Sequence, residues 1–249
     1  QAGVRRAKGH LGLGWGGIGP FNELWFNLDG ERVTERDGGA LVQQTLSPGL
    51  YVTGAHNLEA SIQLHGLARG SAALRIARGE PLQQQRYVHL WLVMTPALWA
   101  PLLEAELDLG RLAAVGSGRP LPGGRLNLTL NTRLLPRLEL EPHLNLAWLR
   151  DGGRKVYAEA AHQLLARWHF NAAQSLRVIV GYTATERDGA RLDQATTGSL
   201  TWAWRQSAGT VLYLGASRAR AGLAPDLARR NEVFVKLQVD ADDLRRAVP

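Results

Sequence analysis

Between residues 125 and 149 the chain alternates apolar and polar positions twice over. Leu126, Leu128 and Leu130 take turns with Asn127, Thr129 and Asn131. After residues 134–137, Leu138, Leu140, Leu144, Leu146 and Trp148 take turns with Glu139, Glu141, His143 and Asn145. Successive side chains of a strand point to opposite faces, so the pattern predicts a β-hairpin with one apolar face and one polar face.

Most of the chain repeats it. Residues 10–19 are glycine-rich and read as a glycine-softened strand or a loop. Residues 23–35 predict a strand interrupted at Asp29–Gly30, with a tip at residues 37–39. Residues 41–53 return with a bulge or bend at Pro48–Gly49. A tight turn at 54–57 leads into Leu58, Ala60, Ile62 and Leu64, alternating with Glu59, Ser61, Gln63 and His65. Residues 66–85 extend that strand through 72–76 and then loop. Residues 86–95 return with apolar residues on both parities, a pattern expected of a strand buried on both sides. Leu103, Ala105, Leu107 and Leu109 alternate with Glu104, Glu106 and Asp108. Beyond the hairpin, further strands are predicted around 156–168, 176–183, 199–205, 211–216 and 233–239; His162 is a polar exception on an apolar parity.

The connections alternate in length. Those near residues 55, 98, 135, 172 and 208 are short, whereas polar segments near 37, 66–85, 111–122, 150–155, 186–195 and 218–230 read as longer loops. Bacterial barrels have short periplasmic turns and longer extracellular loops. The expectation is therefore an all-β, antiparallel, up-and-down transmembrane β-barrel of about 12–14 strands. Within it, residues 1–20 form a partial strand or loop, 21–240 the barrel, and 241–249 a polar tail. Counting the glycine-rich segment makes the strands odd in number, which points to a C-terminal fragment of a longer chain.

Composition changes this picture little. The chain has 249 residues, 45% of them hydrophobic, and no cysteine. No run approaches the ~20 apolar residues of a membrane helix. A net charge of +7 raises nucleic acid as a partner, but the arginines are scattered at strand ends with no basic helix or aromatic–basic motif, so none is expected. Outer-membrane lipid, including lipopolysaccharide, fits better, because guanidinium groups hold phosphate in two-point contacts. Trp99, Trp148, Trp168, Trp202 and Trp204 fall close to turns, where a membrane interface would place them.

Three segments, PGGRLNLTLNTRLLPRLELEP, HQLLARWHFNAAQSLRVIVGYT and GSLTWAWRQSAGTVLYLGASRARAG, followed by NEVFVKLQ, resemble the C-terminal barrel of a bacterial outer-membrane protein family of unassigned function. Its longer members carry an N-terminal β-sandwich similar to carbohydrate-binding modules. The resemblance spans roughly residues 21–240. It implies an upstream sandwich, a link to glycan handling, the barrel-assembly machinery as a partner, and a periplasmic or surface partner. Such barrels usually end on an aromatic residue; here a polar tail follows the last strand, so either the tail is an extension or assembly uses an internal signal around Phe234.

The residues expected to line the lumen are Glu104, Glu106, Asp108, Arg137, Glu139, Glu141, His143, Glu159, Arg167, Arg177, Arg205 and Lys236. Opposed charges of this kind suit a pore lining, or they cross-brace a polar interior. The histidines show no metal-ligand spacing, and neither metal nor cofactor is expected. The sequence favours a pore, or a membrane anchor and scaffold for a periplasmic or surface module. The competing readings are an outer-membrane hydrolase, for which Ser175, Ser199 or Ser207 would need a neighbouring histidine, and a barrel that sheathes a partner protein.

Overall fold

The computed structural model describes residues 3–207, 209–223 and 228–240. Among them the chain is all β, with no helix. The strands are β1 (Val4–Ile18), β2 (Phe21–Glu35), β3 (Leu41–Gly54), β4 (Leu58–His65), β5 (Ala72–Leu74), β6 (Gln83–Gln84), β7 (Arg86–Met94) and β8 (Leu102–Leu112). They continue as β9 (Leu121–Leu135), β10 (Leu138–Asp151), β11 (Arg154–His169), β12 (Gln174–Arg187), β13 (Ala190–Arg205), β14 (Val211–Ala221) and β15 (Ala228–Gln238). Leucine and alanine are good helix formers; the period-two spacing of apolar positions overrides that preference.

The sheet is one antiparallel meander in the order β1-β2-β3-β4-β7-β8-β9-β10-β11-β12-β13-β14-β15, with β5 and β6 set beside β3 off the main path. Thirteen strands run along that path, within the expected range. The sheet is not closed: β1 and β15 stand at its two ends and run in the same direction.

Several local expectations change. The glycine-rich segment is a strand, paired with β2 from Val4↔Glu35 to Ile18↔Phe21. β2 runs unbroken through Asp29–Gly30. The β2–β3 ladder also passes Pro48 and Gly49 without a register shift. What changes there lies on the other edge of β3, which pairs β4 from Gly49 to Gly54 and β5 from Gln43 to Thr45. β7 is not buried on both sides, since Leu90 on its apolar face is 38% exposed.

The larger correction concerns the loops. Residues 150–155 and 186–195 are mostly strand, closed by two-residue hairpins at Gly152–Gly153 and Asp188–Gly189. All four turn residues have positive φ, between 50° and 83°, as tight primed hairpins require. The apolar alternation fades before the hydrogen-bonded ladder ends, so a polar strand extension reads as a loop. Longer excursions do occur at 66–82 and 113–120. There Ser47, Ser71, Ala72, Ala73, Gln83, Ala114 and Leu121 are buried. Gln83 clasps the two excursions together: its Nε2 donates to the Ala114 carbonyl and its Oε1 accepts from the Ala114 N–H, both at 2.9 Å. The tail expected at 241–249 lies outside the described residues.

Candidate functional site

Residues opposite one another on paired strands share a face, so the ladder registers assign every side. One continuous row runs Leu13–Phe26–Leu50–Ile62–Leu90–Leu107–Leu126–Leu146–Ala160–Ala184 across ten strands. Another runs Leu140–Ala166–Val178–Leu200–Ala216–Val233. This apolar face is open: Leu13 is 65% exposed, Val180 49% and Val235 70%. A contiguous apolar surface of this extent marks contact with lipid or with another protein.

The opposite face is polar, and its side chains are joined along rows. Asp29 accepts from Asn27 Nδ2 at 2.7 Å and from Gln63 Nε2 at 3.1 Å, and its other oxygen lies 2.7 Å from His10 Nδ1. Next along the sheet, His89 Nδ1 lies 2.7 Å from Asp108 Oδ1, while Arg125 donates to Asp108 Oδ2 at 2.7 Å and to Glu106 at 3.4 Å. Asn127 completes Glu106 at 3.0 Å. Sequence reasoning found Glu106 and Asp108 but missed His10, Asp29, His89 and Arg125. The parity of each was legible, though Trp91 and Tyr87, on the same face as His89, obscured it in β7.

The ligand atoms of His89, Glu106 and Asp108 lie within 4.8 Å of one another, the spacing of a metal site. Arg125 already bridges the two carboxylates and offsets one of their two negative charges.

Of the other expected lining residues, Glu139 takes Arg167 at 2.9 Å, Arg133 at 3.4 Å and His169 at 3.7 Å. His143 meets Thr129 at 3.2 Å, and Tyr157 donates to Glu159 at 2.6 Å. Glu104 and Glu141 share this face by register. So do Arg177, Arg205 and Lys236, none of which has a carboxylate partner among the described residues. Arg137 occupies the turn after β9, where its carbonyl accepts the His169 N–H at 2.8 Å.

The aromatic positions fall at the ends of strands. Trp99 sits in the 97–100 turn, and Trp168 and Trp204 are each one residue from the end of their strand. Trp202 shares a row with Trp168, and Trp148 lies towards the opposite end. Trp15 and Phe26 were missed on the same apolar face. Glycines at alternate positions left β1 open between a strand and a loop, and their reason lies on the other face: a Cβ on Gly14 would come 2.7 Å from the Trp25 ring.

A Ser–His hydrogen bond exists at a pair the sequence did not nominate, Ser47 Oγ to His65 Nδ1 at 2.7 Å. The His65 ring stacks on Tyr87 with centroids 4.3 Å apart. Ser47 is 1% exposed, so no substrate carbonyl can reach its hydroxyl.

At the hairpin end the rim is held by ion pairs. Lys155 and Arg191 reach Glu186 at 2.6 and 2.8 Å, and Arg119 grips both oxygens of Asp151 at 2.8 Å. The hydrogen bonds from Lys155 and Arg191 hold the Glu186 carboxyl down at about 2.

Together these features define a class: an amphipathic antiparallel β-meander with an exposed apolar face and a cross-linked polar one. No family model and no curated protein matches the chain. Solved structures similar to it include the outer-membrane expressed OmpT of Vibrio cholerae, 12% identical over 89% of this chain and 88% of that one, with a TM-score of 0.37. The in-vitro folded, trimeric form of OmpT, described as an outer membrane protein of Vibrio cholerae, is 12% identical over 97% and 96%, also at 0.37.

Proposed function

We propose that this chain forms the wall of an outer-membrane β-barrel and that its polar face lines an aqueous pore. The observation that carries the proposal is the segregation of faces across the meander. Water on both sides would leave the leucine rows uncovered, whereas lipid on one side and water on the other satisfies both. In a bilayer the edges of β1 and β15 must also be paired, because an open edge strands its backbone groups in hydrocarbon. Arg218, Arg220 and Arg229 support the membrane reading. They continue the parity of Leu212, Leu214 and Val233 on the lipid-facing side, at the end where charged headgroups would meet them, and lipopolysaccharide phosphates suit their guanidinium groups.

The test is conductance in planar bilayers after folding into liposomes. Stepwise currents with a preference for anions, from Arg177, Arg205 and Lys236 on the polar wall, support a pore. Stable insertion without current leaves the barrel as a membrane anchor and scaffold. That second reading draws on the cross-bracing of the β1–β9 half and on the Gln83 clasp, both of which fill and stiffen the polar side.

A further inference from the structure

Three cations of the polar face gather around one cleft near the start of β12. Arg125 and Arg167 are committed to carboxylates, whereas Arg177, Arg205 and Lys236 have no carboxylate partner among the described residues. Arg177 stands directly opposite Arg167, whose charge Glu139 already balances, so Arg177 is left as surplus positive charge in that row. Next to Arg177 across the ladder come the small residues Thr201 and then Gly215, and one row nearer the turn Ser175 is followed by Ala203. The floor is therefore low. Tyr213 and Phe234 form the far wall, with the Lys236 ammonium 5.9 Å from the Tyr213 ring centre. The Phe234 ring lies over Gly215, where a Cβ would collide with it. The result is a cleft of ≈ 640 Å³ at the short-turn end, lined by these cations and aromatic rings.

We propose that this cleft binds a water-borne phosphate ester. Two guanidinium groups and an ammonium match a tetrahedral oxyanion in charge and in donor geometry, and the aromatic wall suits an organic moiety attached to it. The cleft opens on the face opposite the leucine rows, so a soluble ester is its occupant and a lipid headgroup is not. The proposal rests on the polar face being the watered side of the wall, but it does not require the protein to conduct.

Pyrophosphate titrated calorimetrically into the full chain, folded in zwitterionic detergent, supplies the test. Saturable binding is expected to weaken with salt and to fall about tenfold or more in Arg177→Gln/Arg205→Gln, while Glu141→Gln binds as the wild type does. Thr201→Glu places a carboxylate opposite Arg177. It should abolish binding and raise the melting temperature, so a lost signal there cannot be laid to unfolding. The proposal is overturned if the wild type does not bind, if either cleft variant binds unchanged, or if binding appears only when anionic lipid is added. A chain that binds pyrophosphate yet carries no current would keep this site and lose the pore.

Discussion

Trp148 on β10 lies across Gly124, its direct partner on β9, so closely that a Cβ on Gly124 would come 2.5 Å from the indole ring. The neighbouring Asp108 carbonyl stands 2.8 Å from the same point, so there is no side to which a larger residue could turn. Gly124→Val is expected to displace the indole and to cost about 1–3 kcal/mol of overpacking. A shift in tryptophan emission together with a lower urea midpoint in vesicles would show it. Unchanged values for both would mean that the ring has another place to rest.

Val180 occupies the middle of β12 on the apolar face, and Thr183 lies on the polar face three residues on. Arginine at a lipid-facing midplane costs about 2–4 kcal/mol, and on the lumen side far less. Val180→Arg should therefore lower the free energy of folding into vesicles by that amount, while Thr183→Arg folds nearly as the parent does. Equal losses in the two variants would remove the membrane from the explanation of the leucine rows.

The two-faced meander was legible because its signal is periodic: the registers put Leu126 beside Leu146 and Asn127 beside Asn145, as the alternation requires. Of the candidate site, the acidic residues of β8 and the basic residues of β11, β12, β13 and β15 could be read from parity alone. The partners could not. Whether Asp108 meets His89 or Arg177 faces Arg167 depends on the register between strands, which turns and bulges decide and single-strand alternation does not record. Strand length was misjudged for a related reason. At Arg187 and Ala190 no apolar face is needed, yet the backbone ladder still pairs them.

Glu186 gives a pH dependence whose sign can be worked out. Its carboxyl is depressed in the folded protein to about 2 from an ordinary 4.5, chiefly by the Lys155 and Arg191 hydrogen bonds. A depressed carboxyl stabilises the fold above its unfolded value, and that contribution is lost as the pH falls through the interval between the two. The hairpin joining β12 and β13 should therefore loosen on acidification from about pH 5 towards pH 2, as read by amide exchange at Asp188 and Gly189. Glu186→Gln should remove this part of the dependence, and because the group is only half-buried, added salt should flatten it too. A profile identical in the variant would mean that the ion pairs do not hold the hairpin.

Asp188 and Ala172 lie at opposite ends of β12, one in the two-residue hairpin and one in the short turn, and they allow the orientation to be tested. Two-residue connections occur at both ends, at 136–137 and at 152–153 and 188–189, so the orientation rests on the long excursions at 66–82 and 113–120 and on the charged strand extensions, which lie at the Asp188 end where extracellular loops are expected. The chain contains no cysteine, so a single introduced thiol reports only on itself. In intact cells Asp188→Cys should react with a membrane-impermeant maleimide, and Ala172→Cys should react only once the outer membrane is permeabilised. The reverse pattern would place Trp168, Trp202 and Trp204 at the outer interface. It would also turn the phosphate cleft, which Arg177, Arg205 and Lys236 line, towards the cell surface.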